Sequence, residues 1–124
     1  MCASGLLPML GRFGPNLTIL TFHRVVTAGE KSHSLNKQMM VTEEQFDSLL
    51  KAIRQFGHPV SLSDAVRNIR QGVDFRPGSV VVTFDDGYYD FYLRAFPLLR
   101  EYRLPATLFL TTGVIGRRNE YLWW

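Results

Sequence analysis

Apolar residues recur along this chain with two distinct periods. Between Thr42 and Phe56 they fall three and four positions apart, at Phe46, Leu49, Leu50, Ile53 and Phe56, which predicts an amphipathic helix facing a core. Thr42 is suited to cap it, with Gln45 at the reciprocal capping-box position and Glu43 and Glu44 at the positive end of its dipole. Gly57 and Pro59 stop it. Elsewhere the apolar residues run unbroken: Ser79 to Phe84 reads Ser-Val-Val-Val-Thr-Phe, a strand buried on both faces.

The remaining elements follow from the same reading. Leu17 to Phe22 is a first strand ending in His23-Arg24, and Thr27 to Gln38 is a polar loop with His33 facing solvent. Val60 to Leu62 is a minimal strand, after which Ser63 caps a short helix with Ala65, Val66 and Ile69 inward. A helix from about Tyr89 to Arg103 buries Phe91, Ala95, Leu98, Leu99 and Tyr102; Pro97 kinks it and Pro105 ends it. Ala106 to Leu110 is a further strand buried on both faces, closing on Thr111 and Thr112. Strands alternating with helices predict an α/β protein with parallel strands and right-handed crossovers.

At 124 residues the chain is one domain at most, with 46% hydrophobic content to build a core. Residues 1–16 carry glycine and proline without periodicity and read as a loose lead-in to a domain over 17–124. No apolar stretch approaches the ~20 residues of a membrane span. The N-terminal segment, interrupted by Gly5, Pro8, Gly11 and Arg12, lacks the pattern of a signal peptide, so a cytoplasmic location is the default expectation. Cys2, the single cysteine, excludes an internal disulfide or a cysteine metal cluster. The net charge of +3 is scattered, and Arg117-Arg118, the only adjacent basic pair, reads as a solvated loop. No basic stripe suggests nucleic acid as a partner.

Candidate chemistry sits where the unbroken strand ends, at Asp85-Asp86-Gly87. Ligands of parallel sheets bind beyond the carboxyl ends of the strands, so these acids face a candidate pocket. Successive strand residues point to opposite faces, so both aspartates serve one site only if the strand breaks there, as Gly87 permits. The plainer alternative is a turn whose aspartates bond their own backbone. His23, at another strand end, either lines the same mouth or is a satisfied terminal histidine. Thr111 and Thr112 either line the mouth or form a turn.

Thr83-Phe84-Asp85-Asp86-Gly87, followed by the pair Tyr88-Tyr89 and by Asp90, resembles the first motif of the polysaccharide deacetylases of the chitooligosaccharide-deacetylase type. Leu20-Thr21-Phe22-His23-Arg24-Val25 is similar to that family's first strand, and Leu104-Pro105-Ala106-Thr107-Leu108-Phe109-Leu110 to the strand after the motif. The resemblance covers residues 17–124, and the three strings come in the family's order. It implies an incomplete deformed β/α barrel with about four parallel strands, the N-terminal portion of a deacetylase domain and inactive alone. It also implies hydrolysis of acetamides on an N-acetylated polysaccharide or oligosaccharide such as one of N-acetylglucosamine, although envelope substrates sit uneasily with the missing signal.

By position in the motif Asp85 resembles the catalytic base and Asp86 the ligand of a divalent metal, with zinc the expected ion. Gly87 and Tyr88 would line the site. The family's metal histidines come from a downstream His-x-x-x-His, which this sequence lacks, and the spacing of His23, His33 and His58 does not match it. A half barrel would leave the edge of the strand at 106–110 open to self-association. Two other readings stand: a non-catalytic remnant binding sugar or a partner protein through Tyr88, Tyr89, Tyr121, Trp123 and Trp124, and a magnesium-dependent phosphotransfer domain using the paired acids.

Overall fold

The computed structural model describes residues 16–116. The lead-in and Arg117-Arg118, Tyr121, Trp123 and Trp124 lie outside them.

Four parallel strands form the main sheet. The central one, β5 (Ser79–Phe84), is buried throughout, as its unbroken apolar run predicts. Along one edge it pairs with β1 (Leu17–Phe22), in register from Leu17 opposite Ser79 to Phe22 opposite Phe84. Its start pairs with β4 (His58–Pro59) and its end with β6 (Ala106–Leu108). A second parallel pair, which the sequence did not suggest, joins β2 (Arg24–Val26) to β3 (Met40–Thr42). The expected incomplete α/β architecture with about four parallel strands is therefore present.

The segment 27–38, read as a loop, contains a helix, α1 (Ala28–His33). Thr27 caps it, and Glu30 completes a capping box. The Thr27-x-x-Glu30 signal is in the sequence; what hid it is that α1 buries nothing and so has no apolar stripe. By contrast α2 (Glu43–Phe56) forms as expected, with Thr42 and Gln45 in a reciprocal box. It buries Phe46, Leu50 and Ile53, each contributing about 1.5–3 kcal/mol by leaving water, while Phe56 at its end stays 59% exposed.

The strand expected at 60–62 lies earlier, at 58–59, where His58 donates to Gly78 O and Val60 to Val80 O. Ser61 rather than Ser63 then caps α3 (Leu62–Gln71). Its inward face is also narrower than expected: Ala65 is buried, but Val66 and Ile69 are exposed.

After β5 the chain forms a wide turn of π-helix over Phe91–Ala95, then α4 (Phe96–Glu101). Phe96 donates to Phe91 O, five residues back. In a regular helix the Pro97 ring would press on the carbonyl four residues earlier, and the wide turn is the form its expected kink takes. Helix α4 ends before Pro105. Leu104 donates to Leu99 O at 2.9 Å and Arg103 to Arg100 O at 3.1 Å, with Arg103 left-handed at φ 52°. This is a Schellman closure with arginine where glycine is usual.

Strand β6 is shorter than expected and is not buried on both faces. Phe109 and Leu110, predicted as part of it, are half exposed. Its paired residues end at Leu108, opposite Phe84, the last residue of β5. The core gathers on one face of the sheet, where Val80, Val82 and Phe84 meet Phe46, Leu50 and Ile53 of α2, Ala95 of the wide turn and Leu99 of α4.

Candidate active site

The mouth at the carboxyl end of β5 is built on aromatic packing. Phe22, Phe46, Phe84 and Phe91 form a cluster with ring centroids 4.8–5.6 Å apart, mostly edge to face. Phe22 and Phe84 are the last residues of β1 and β5, so locking their rings fixes the strand ends from which His23 and Asp85 emerge. The ladder carries one step further, with Asp85 donating to Phe22 O at 2.9 Å and Phe109 to Phe84 O at 2.8 Å. Asp85 is thereby held between the ends of β1 and β6.

The strand then breaks. Gly87 donates to Asp85 O at 2.9 Å, closing a three-residue turn around Asp86, whose φ is 70°. A γ-turn of this hand is rare and strained for a residue with a side chain. It is the break required for both carboxylates to serve one mouth. Gly87 is constrained twice: its φ is 77°, and a Cβ there would lie 2.5 Å from Leu110 Cδ2. Thr111 donates to Asp86 O at 3.4 Å, which brings the end of the β6 segment to the turn. Thr112 is exposed and begins a 3-10 turn, Thr112–Val114, and no hydrogen bond ties it to the acids.

His23 Nε2 lies 3.9 Å from Asp85 Oδ2, with both side chains about one third exposed. That is too long for a hydrogen bond and within ion-pair range when the imidazole is protonated. Arg24 and Asp90, which the sequence presents only as parts of motifs, brace this mouth. Asp90, 6% exposed, accepts from Arg24 Nε at 2.7 Å and from the Val25 backbone at 3.3 Å, and the Arg24 guanidinium lies 4.8 Å over the Tyr88 ring. An acid embedded in the apolar pattern of the helical segment was the signal available for Asp90.

The donors at the mouth do not make a metal centre by themselves. Among the described residues no group of three or more His, Cys, Asp or Glu side chains is placed to hold an ion, against the four ligands of tetrahedral zinc. His33 is exposed on α1, its Nδ1 at 2.8 Å from Gly29 O, and His58 pairs with Ser79 at the opposite end of β5. Neither reaches the acids.

Residues 72–122 match a family model described as polysaccharide deacetylase. The poly-β-1,6-N-acetyl-D-glucosamine N-deacetylase of Staphylococcus aureus (strain NCTC 8325 / PS 47) is 30% identical over 113 residues, covering 81% of this chain and 37% of that protein. Of the solved structures, IcaB from Ammonifex degensii aligns with a TM-score of 0.71 and 29% identity over 86% of this chain and 43% of that one. The Streptococcus pyogenes deacetylase PplD, in complex with acetate, aligns with a TM-score of 0.70 and 28% identity over 85% and 47%. The chain thus spans a little over a third of this curated relative and under half of each solved chain.

Proposed function

From the premise that this chain belongs to the polysaccharide deacetylase family, we propose that it carries the paired-aspartate part of a site that removes acetyl groups from an N-acetylated polysaccharide. The observation that carries this reading is the left-handed turn at Asp86, which breaks β5 where two carboxylates would otherwise diverge. In this reading water adds to the acetamide carbonyl, the C–N bond breaks, and acetate leaves from the freed amine. Asp85 takes the proton of the attacking water and returns it to the amine nitrogen. His23 stands beside this base, its Nε2 3.9 Å from Asp85 Oδ2.

Asp86 is proposed as one ligand of a divalent cation, with zinc as the ion the resemblance implies. The described residues do not complete that set, so metal binding requires ligands outside residues 16–116. The edge of β6 that has no partner among the described residues is proposed as a site of strand pairing, with the rest of a longer chain or with a second copy.

The test is acetate release from an N-acetylglucosamine oligomer in the presence of zinc, by the chain alone and by the chain supplied with the remaining part of a family deacetylase. The expected result is release that Asp85→Asn lowers by about 10²–10⁴-fold. Release that survives Asp85→Asn overturns the role of Asp85, and no release in either setting overturns the reading.

A further inference from the structure

Tyr89, Tyr92 and Phe96 form a ladder of exposed rings on the helical segment that leaves the acidic turn. The centroids of Tyr89 and Tyr92 are 5.9 Å apart with planes 27° from parallel, and those of Tyr92 and Phe96 are 6.4 Å apart at 14°. Arg100 ends the row with its guanidinium 5.7 Å over the Phe96 ring. The three rings are 70%, 62% and 40% exposed. Near-parallel rings at such separations are offset rather than superposed, so each leaves part of a face to solvent.

The ladder occupies one helical face, because its members are three and four positions apart. At ~1.5 Å per residue it extends about 16 Å from Tyr89 to Arg100, enough for more than one pyranose ring. Leu93 borders it, half exposed. This face offers flat apolar surfaces edged by phenol hydroxyls and a guanidinium. A pyranose ring has the complementary character, with C–H groups on its faces and hydroxyls at its rim. The row also begins close to the candidate site along the chain, since Tyr89 stands three residues beyond Asp86.

We infer that the Tyr89–Tyr92–Phe96 ladder is a stacking track for an N-acetylated polysaccharide, binding sugar units remote from the one at the acidic turn. This rests on the deacetylase reading for the identity of the glycan, and it adds a polymer-binding surface to it. The track makes affinity depend on chain length: a monomer engages only the mouth, whereas an oligomer engages mouth and rings together.

The experiment is calorimetric titration of the full chain with a β-linked N-acetylglucosamine hexamer and with the monomer, in an Asp85→Asn background so that hydrolysis does not consume the ligand. The hexamer binds more tightly than the monomer. Replacing both Tyr89 and Tyr92 by alanine weakens the hexamer by about tenfold or more, in line with the loss of stacking contacts, and leaves monomer affinity and the thermal midpoint unchanged. The pair Tyr89→Phe and Tyr92→Phe keeps the affinity, because the ring provides the contact. The ladder is overturned by a hexamer that binds no better than the monomer, or by an alanine pair with undiminished hexamer affinity. It is overturned too by an alanine pair that converts an associating chain into a monomer, which makes the face a protein contact. Acetate release is scored separately, with Asp85 intact and the remaining part of a family deacetylase supplied: its absence there counts against the deacetylase reading and leaves the binding comparison standing.

Discussion

Arg24 Nε donates to Asp90 Oδ2 at 2.7 Å, joining residues 66 positions apart at the root of the acidic turn. Asp90 is nearly buried while Arg24 is 30% exposed on its side chain, so solvent screens one partner only. Asp90 also receives the Val25 backbone N–H. The pair therefore ties the first residues of β2 to the segment that follows Asp85 and Asp86.

Asp90→Ala strands the Val25 N–H and leaves the Arg24 guanidinium without its counter-charge. The expected loss is about 2–3 kcal/mol, below the 3–5 kcal/mol of a fully buried pair because Arg24 reaches solvent. Urea denaturation checks it. A loss under about 0.5 kcal/mol would show that the pair is a surface contact.

Asp86 adopts φ 70° at a cost that glycine does not bear. Asp86→Gly should raise stability by about 1 kcal/mol and abolish acetate release, separating conformational cost from chemical use. Gly87→Ala should do the reverse to stability, losing 1 kcal/mol or more, roughly, because the new Cβ meets Leu110 as well as an unfavourable φ. Equal stabilities for Asp86→Gly and wild type would contradict strain in this turn.

Arg103 stands at the left-handed position of the closure after α4, with Leu104 buried behind it. Arg103→Gly is expected to stabilise the chain by about 1 kcal/mol through relief of the Cβ clash. A thermal midpoint that falls instead would mean the arginine side chain contributes more than its backbone costs.

The Tyr102 hydroxyl donates to Asp47 Oδ1 at 2.6 Å, and with Lys51 beside it holds the Asp47 carboxyl below its ordinary value of 3.8. A depressed carboxyl stabilises above its unfolded pKa, and that contribution fades as pH falls through the lower folded value. The same bond, its largest cause, raises Tyr102 above 10.0, and Asp47 likewise raises Lys51. Their contributions are full below the unfolded values and fade as pH rises through the folded ones. Tyr102→Phe should therefore flatten the stability profile below about pH 4, and also above about pH 10. Denaturation midpoints across both windows decide it; unchanged acid sensitivity would exclude the Tyr102–Asp47 bond as its source.

Much of this protein is legible without coordinates. The unbroken run from Ser79 to Phe84 specifies a strand covered on both faces, since only such a strand tolerates β-branched and aromatic residues at every position. Thr42 and Gln45 specify where α2 begins, because the capping box lies within four consecutive residues. The same local logic places Asp85, Asp86 and Gly87 at a strand end. It fails for α3 and β6. How much of α3 is buried depends on how it packs against β5, and the length of β6 depends on where β5 ends.

The amino-acid sequence by itself thus determined the buried central strand, the acidic strand end and the capped helix, since each rests on propensity and burial pattern over a few neighbouring residues. Only the tertiary structure decided that His23 faces Asp85, that Arg24 closes on Asp90 and that Leu110 presses on Gly87. Those contacts are set by the parallel register of β1 and β6 on β5, and register is a property of the assembled sheet, fixed by the burial of faces drawn from distant parts of the chain.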